Sequence, residues 1–253
     1  MTLAGAYIAT AKNGTIYYRS SFTYKNKHIS LGSFESEELA HQAYLDASRL
    51  ISDSASILSY QADTHILSFD KYVSIVNFRD NNVYFKNPIY LEKHYFLYYL
   101  TEELVYKFDI DDLFYYAGHK ISKRGGHLFV ADYGMQISLP SRYGIRSHAV
   151  MDRGYRFING DCFDFRYENI EIINQFYGVT KICQKNKTRY KAQIHINGMI
   201  TVGTYDTETA AAVAYNKAVD LVKKKFPERR YNQNYIDTMA PSQYASLYIR
   251  IRV

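Results

Sequence analysis

Arg189, Lys191, Gln193 and His195 alternate along the chain with Tyr190, Ala192, Ile194 and Ile196. Alternation with a period of two puts the two sets on opposite faces of a β-strand. One face is then cationic and amide-bearing, the chemistry that grips phosphate oxygens and hydrogen-bonds base edges. The charge around it points the same way. Residues 178–230 hold eleven Lys and Arg, among them Lys181, Lys185 and Lys187, against four acids, a local excess of seven in a chain of net charge +6. The remainder is close to neutral. A local excess of this kind attracts polyanions through counterion release, although a solvated lysine-rich surface has the same composition.

The elements that position these residues are legible on either side. Asn197-Gly198 is a strong hairpin signal, Met199 to Val202 reads as the returning strand, and Asp206 or Thr207 can cap a helix. That helix offers Ala211, Val213, Ala214, Ala218, Leu221 and Val222 as an apolar stripe. The unit is expected to be a three-stranded antiparallel sheet backed by one helix. A weaker copy lies near the N-terminus, where Leu31-Gly32-Ser33-Phe34 matches Val202-Gly203-Thr204-Tyr205 and Ala43-Tyr44 matches Ala214-Tyr215. Both matches are separated by 171 residues, which indicates an internal duplication.

In the first copy Tyr17, Arg19, Ser21 and Thr23 are expected to point outward, with Lys25 and Lys27 at the turn, while Phe22, Tyr24, Ile29 and Leu31 face the helix. Residues 1–51 contain five basic and four acidic side chains, so charge alone would not hold this copy on DNA. Two readings stay open: a weak second DNA contact through Arg19 and Lys25, or a surface for a protein partner or homodimer.

The segments YGVTK, KTRYKAQI, NGMITVGTYDT and AAAVAYNKA resemble the Apetala-type (ethylene-response-factor) DNA-binding domain. The resemblance implies that the exposed faces of three strands read base edges and phosphates of double-stranded DNA. Carried over by position, the residues it implicates are Thr180, Arg189, Lys191, Gln193, His195 and Thr201. The family's first-strand arginines are replaced by Thr180 and Ile182, and its third-strand tryptophan by Thr201, so its base preference does not transfer.

Between the copies, residues 52–65 read as a polar linker, and Ile66 to Asn87 suggests a hairpin turning at Asp80-Asn81-Asn82. Leu91 to Val105 suits a buried helix, with a strand as the alternative, and a helix is expected from Asp109 through Tyr116. His127 to Ala131 and Met135 to Leu139 read as strands. The stretch Tyr155-Arg-Phe-Ile-Asn-Gly-Asp161, followed by Asp164-Phe-Arg-Tyr-Glu-Asn-Ile-Glu-Ile-Ile173, resembles HNH homing endonucleases, in which a strand leads through an Asn into a helix. Many phage-borne members carry an Apetala-type domain immediately downstream, the order seen here.

The chemistry that this second resemblance implies is missing from the sequence. Where the family has a metal-binding Asp, a general-base His, an orienting Asn and a further metal ligand, this chain has Arg156, Phe157, Asn169 and Gly178. A phenyl ring cannot take a proton from water, and an arginine repels the cation. His148 lies near these positions, and His119 and His127 belong to the same domain; a lone histidine is more often packed than catalytic. Arg153, Arg156 and Arg166 could still touch phosphates. No catalytic residue, metal ligand or cofactor site is expected.

The chain has 27 tyrosines, 14 phenylalanines and no tryptophan, a skew that AT-rich coding imposes and that hints at a phage or low-GC bacterial origin. Cys162 and Cys183 are too few for a disulfide framework or a zinc quartet. No apolar stretch approaches a membrane span, and no secretory signal is seen, so the bacterial host cytoplasm or nucleoid is the expected location. The expected fold class is α+β: two Apetala-like units at 1–52 and 176–236 flank an HNH-like, ββα-type middle domain at 66–175, with a tail at 237–253. The expected function is non-catalytic double-stranded DNA binding, as a phage-encoded regulator or accessory factor. The alternative is an interaction module that inhibits or sequesters a host protein.

Overall fold

The computed structural model describes residues 3–184 and 186–253. They form two compact units, one running up to Leu139 and including Cys162–Tyr167, the other made of Pro140–Asp161 and Glu168–Val253. The middle segment 66–175 is therefore divided between the units. The class is α+β, with several small antiparallel sheets.

The first unit opens with β1 (Ala6–Thr10), β2 (Ile16–Tyr24) and β3 (Lys27–Phe34), paired in that order, and α1 (Glu37–Ser52) behind them. Lys25 and Asn26, both at positive φ, make the two-residue turn between β2 and β3 that matches the twist of a hairpin. The hydroxyl of Ser36 accepts from the Leu39 N–H at 3.2 Å, and Glu37 and Glu38 meet the positive helix end.

Residues 66–87 are not a hairpin. They contain α2 (Phe69–Asn81), and the polar triplet taken for a turn is the helix end, with Asn82 left-handed at φ 61°. Tyr72 to Phe78 are all buried, so the helix lacks the one-sided stripe that would have identified it. The intervening segment is no loose linker either: Ile57 is buried, and the Ile66 N–H reaches the buried Asp46 carboxylate at 2.8 Å. Arg79 donates to the carbonyls of Leu50, Asp53 and Ala55, tying α2 to the end of α1. One core continues from Phe22, Ile29 and Leu31 through Ala43 and Leu50 to Tyr72, Val73 and Val76.

The expected helix over 91–105 is instead part of a second sheet, β4 (Ile89–Leu91), β5 (Tyr95–Tyr99) and β6 (Val105–Asp109). Its tyrosines and phenylalanines suit a half-buried pleated surface. A 3-10 turn and α3 (Leu113–Gly118) follow, then the meander β7 (Ile121–Arg124), β8 (His127–Asp132) and β9 (Met135–Ser138). Residues 162–167 join this unit because the Lys107 N–H donates to the Phe163 carbonyl, the Phe165 N–H donates to the Lys107 carbonyl, and Phe165 packs on Phe108 and Tyr106. Asp164 is fully buried there; burial alone would raise its pKa, but the bidentate Arg166, with Lys107, outweighs it and holds the carboxyl below its usual range.

From Pro140 the second unit takes up the rest of the short α4 (Leu139–Arg142), followed by the ribbon of β10 (Tyr155–Phe157) with β11 (Ile170–Ile172). Asn169 thus leads into a strand and not into the expected helix, in keeping with the β-branched run Ile170-Glu-Ile-Ile. Next come β12 (Val179–Gln184), β13 (Lys187–His195), β14 (Met199–Tyr205) and α5 (Glu208–Lys225), a copy of the first repeat in element order and pairing. The tail is folded: α6 (Pro241–Arg250) packs on α5, and Ile251 is buried.

Candidate nucleic-acid interface

Two close contacts and a bulge fix the geometry of the second repeat's sheet. A Cβ on Gly178, which has φ +66°, would lie 2.2 Å from the Tyr215 ring, so only glycine lets β12 start this close to α5. In the first repeat a Cβ on Gly5, φ +75°, would lie 2.3 Å from Tyr44. The bulge makes Val202 the extra residue of β14 opposite Ala192 and Gln193; Leu31 holds the same place opposite Ser20 and Ser21. Pairing registers give Gly178 the role of Gly5, Ala192 that of Ser20 and Gly203 that of Gly32. The 171-residue separation therefore holds from β3 onward and shifts by one residue in each earlier connection.

Cross-strand partners share a face, which places the candidate side chains. On the side away from α5, Thr180, Lys191 and Thr204 form one row, Ile182 and Arg189 the next, Gln193 and Thr201 a third, and His195 pairs with Met199. Lys187 ends the central strand opposite Gln184. Tyr190, Ala192 and Ile194 face the helix, as the alternation requires. Thr204, Ile182 and Met199 belong to this face too; their positions follow from the register, which the sequence did not specify.

The face is partly pre-ordered. Arg189 donates to the Thr204 carbonyl at 3.2 Å, and its Nε lies 3.1 Å from the Asp206 carboxylate without an aligned hydrogen bond. Asp206 is 85% exposed, so this ion pair is weakly held and open to exchange. The Gln193 amide lies 3.4 Å from the Thr201 hydroxyl. Lys181 is exposed but sits on the other parity, opposite Tyr190. Lys185 falls outside the described residues.

Several basic residues counted with the local excess serve the fold instead. Lys217 donates to the Tyr248 and Ile251 carbonyls, each at 2.7 Å, and so caps α6. Arg229 bonds the Ile196 carbonyl and the Asn197 side chain, and the Tyr231 hydroxyl reaches the His195 carbonyl at 2.8 Å, bracing the β13–β14 hairpin. Nothing in the sequence flagged the buried Asn216 and Asn234, which bond each other's backbone or side chain and lock the chain at Tyr177.

The remaining candidates lie elsewhere. Arg19 is exposed on the outward face of the first repeat, and Ser21, expected beside it in solvent, is buried at the bulge. Lys25 is engaged with the Asn82 side chain and the Tyr24 ring. Arg156 sits on the β10–β11 ribbon, opposite Glu171 and paired to it at 2.6 Å, which neutralises its charge locally.

Around the HNH-like stretch the side chains have structural tasks. Phe157 is buried. Asn169 accepts the Asn159 N–H at 2.8 Å and donates to the Asp161 carbonyl, pinning the turn between them. Gly178 is held against Tyr215. His148 stacks on Tyr177 at 3.5 Å, and burial, then the nearby Arg146, pushes its pKa down. His119 stacks on Tyr115 and lies 3.3 Å from Asp132. Among the described residues no three of His, Cys, Asp and Glu gather in a way that could hold a metal ion, and no helix is long and apolar enough to cross a membrane. No family model, curated protein or solved structure matches the chain.

Proposed function

We propose that the protein binds double-stranded DNA through the outward face of β12–β14 without cutting it, as a phage-encoded regulator or accessory factor built on the remains of an HNH nuclease. The observation that carries the reading is the row Arg189, Lys191, Gln193 and His195 along one strand, flanked by Thr180, Thr201 and Thr204. Long cationic and amide side chains at the centre can reach base edges, and short hydroxyls at the flanks suit phosphate oxygens. Three strands spaced about 4.8 Å apart make a ribbon roughly 10 Å across, which suits a major groove about 12 Å wide. Arg156 paired with Glu171, a buried Phe157 and a crowded Gly178 supply none of the groups that would activate water or hold a cation.

A mobility-shift titration on mixed genomic duplex at two salt concentrations tests the binding, and supercoiled DNA incubated with Mg²⁺ or Mn²⁺ tests the chemistry. Salt-sensitive shifts with intact DNA are expected. Nicking that disappears in His148→Ala would instead establish a relocated active site. Unchanged DNA mobility together with a tightly co-purifying host protein would favour the interaction-module reading.

A further inference from the structure

In the first repeat the pairing register places Tyr7, Arg19 and Ser33 in one outward row, Ala9 and Tyr17 in the next, Ser21 with Ser30 in a third, and Thr23 beside His28. Tyr7 is 55% exposed, Arg19 is exposed and Tyr17 is half-buried. The Arg19 guanidinium donates to the Tyr17 hydroxyl at 2.8 Å and its carbon lies 5.5 Å from that ring's centroid. Two aromatic rings on neighbouring strands thus flank one fixed cation. As diagonal neighbours they stand roughly 7 to 8 Å apart, room for a planar group on each.

The near-neutral count of this repeat conceals a segregation. Glu35, Glu37, Glu38 and Asp46 all lie in the turn before α1 or on α1, on the far side of the sheet. Two of them are occupied, Glu37 by the Leu3 N–H and Asp46 by that of Ile66. Among the described residues of this sheet's outward face there is no carboxylate. Lys12, one of the five basic residues, lies in the β1–β2 turn, away from α1. The face thus suits a polyanion, and a duplex is the wrong one: Ser21 is buried, Ser30 and Ser33 stand where long cationic and amide side chains would read a groove, and stacked bases hide the faces that tyrosines engage. Unstacked bases expose them.

We propose that this face binds single-stranded DNA, with one base stacked on Tyr7, another on Tyr17 and the phosphate between them held by Arg19. This site is separate from the duplex-binding face proposed for the second repeat, and the two readings fail independently. The test is fluorescence anisotropy of the full chain with a labelled oligothymidylate of about 20 nucleotides, an oligouridylate of equal length and a mixed-sequence duplex. Each lost stacking partner should weaken single-strand binding by roughly tenfold, so Tyr7→Ala with Tyr17→Ala should cost about 100-fold. Tyr7→Phe with Tyr17→Phe keeps both π faces and should stay within about threefold. Duplex affinity should be unchanged in both pairs and lost in Arg189→Glu/Lys191→Glu. The proposal is overturned if the wild type ignores oligothymidylate, if the Ala pair binds it normally, if the Phe pair fails as badly as the Ala pair, or if oligouridylate binds more tightly. Loss of duplex binding alone would sink the preceding proposal and leave this one standing.

Discussion

The first repeat, β1–β3 with α1, and the second, β12–β14 with α5, keep the same internal contacts and exchange what they show to solvent. A hydroxyl caps each helix at 3.2 Å, from Ser36 in one and Thr207 in the other. A first-turn glutamate in each receives a backbone N–H from the incoming chain, Glu37 from Leu3 and Glu208 from Gln175. The central strand reaches back to the leading glycine in both, the Ser21 N–H to the Gly5 carbonyl at 3.1 Å and the Gln193 N–H to the Gly178 carbonyl at 2.7 Å. Outward, by contrast, Tyr17, Arg19, Ser21 and Tyr7 stand where Arg189, Lys191, Gln193 and Thr180 stand in the second copy. Positions that set strand-to-helix distance tolerate little change in volume, while outward positions answer only to a ligand. The scaffold therefore says little about binding, and the exposed side chains carry it.

The largest effect should come from charge. Arg189→Glu with Lys191→Glu should lower duplex affinity by more than about 100-fold, because it removes two cations and adds two repulsive charges near the phosphates. Arg19→Glu should change duplex affinity by less than about threefold. If four or five phosphates are neutralised, log affinity should fall with log salt at a slope near −4. Equal losses from both copies would break the comparison, since it assigns the duplex to one face only.

Next in size are the contacts the repeats share. Gly178→Ala and Gly5→Ala each force a Cβ into a tyrosine ring from a positive φ, and each should destabilise its unit by roughly 2 to 4 kcal/mol in chemical denaturation. Tyr215→Ala should cost roughly 3 to 5 kcal/mol, as expected for a large buried aromatic, and Tyr44→Ala less, because Tyr44 is only half-buried. The two glycine variants behaving alike would show one scaffold used twice; a silent Gly5→Ala would mean that the first copy packs loosely.

How far the sequence spoke differs by element. The second repeat was readable down to its faces because Arg189 to Ile196 alternates strictly and Asn197-Gly198 marks the turn. α2 was missed because a helix buried on every side has no stripe, and its capping Asn82 looks the same in sequence as a hairpin turn. The strand at 170–172 was missed because the HNH resemblance suggested a helix there, against the β-branched residues themselves. At the candidate site, the role of Lys217 depends on α6 folding back onto α5, a long-range contact without local signal, and Arg229 likewise acts through the distant hairpin. The local charge excess therefore overcounts the cations left free of structural tasks.

The smallest effect concerns pH, and it should appear in the second unit. His148 stacks on Tyr177, two residues after which β12 begins, and burial, then Arg146, lowers its pKa from the ordinary value near 6.5. The neutral ring is thus favoured in the folded state. The unfolded chain binds the proton more readily, so stability is fully present above about pH 6.5 and declines as pH falls toward the lower folded value. Arg153 lines the same pocket as His148, and a protonated ring there would meet two neighbouring cations with no carboxylate among the pocket's residues. Amide exchange measured between pH 7.5 and 5.5 should show β12 and the start of β13 losing protection as pH falls, with His148→Phe keeping the stack and removing the dependence. Nearby amides should move first because Tyr177 anchors the segment through Asn234. If His148→Phe retains the full pH dependence, another group is titrating, and the His148–Tyr177 stack is then a packing contact with no protonic consequence for the second repeat.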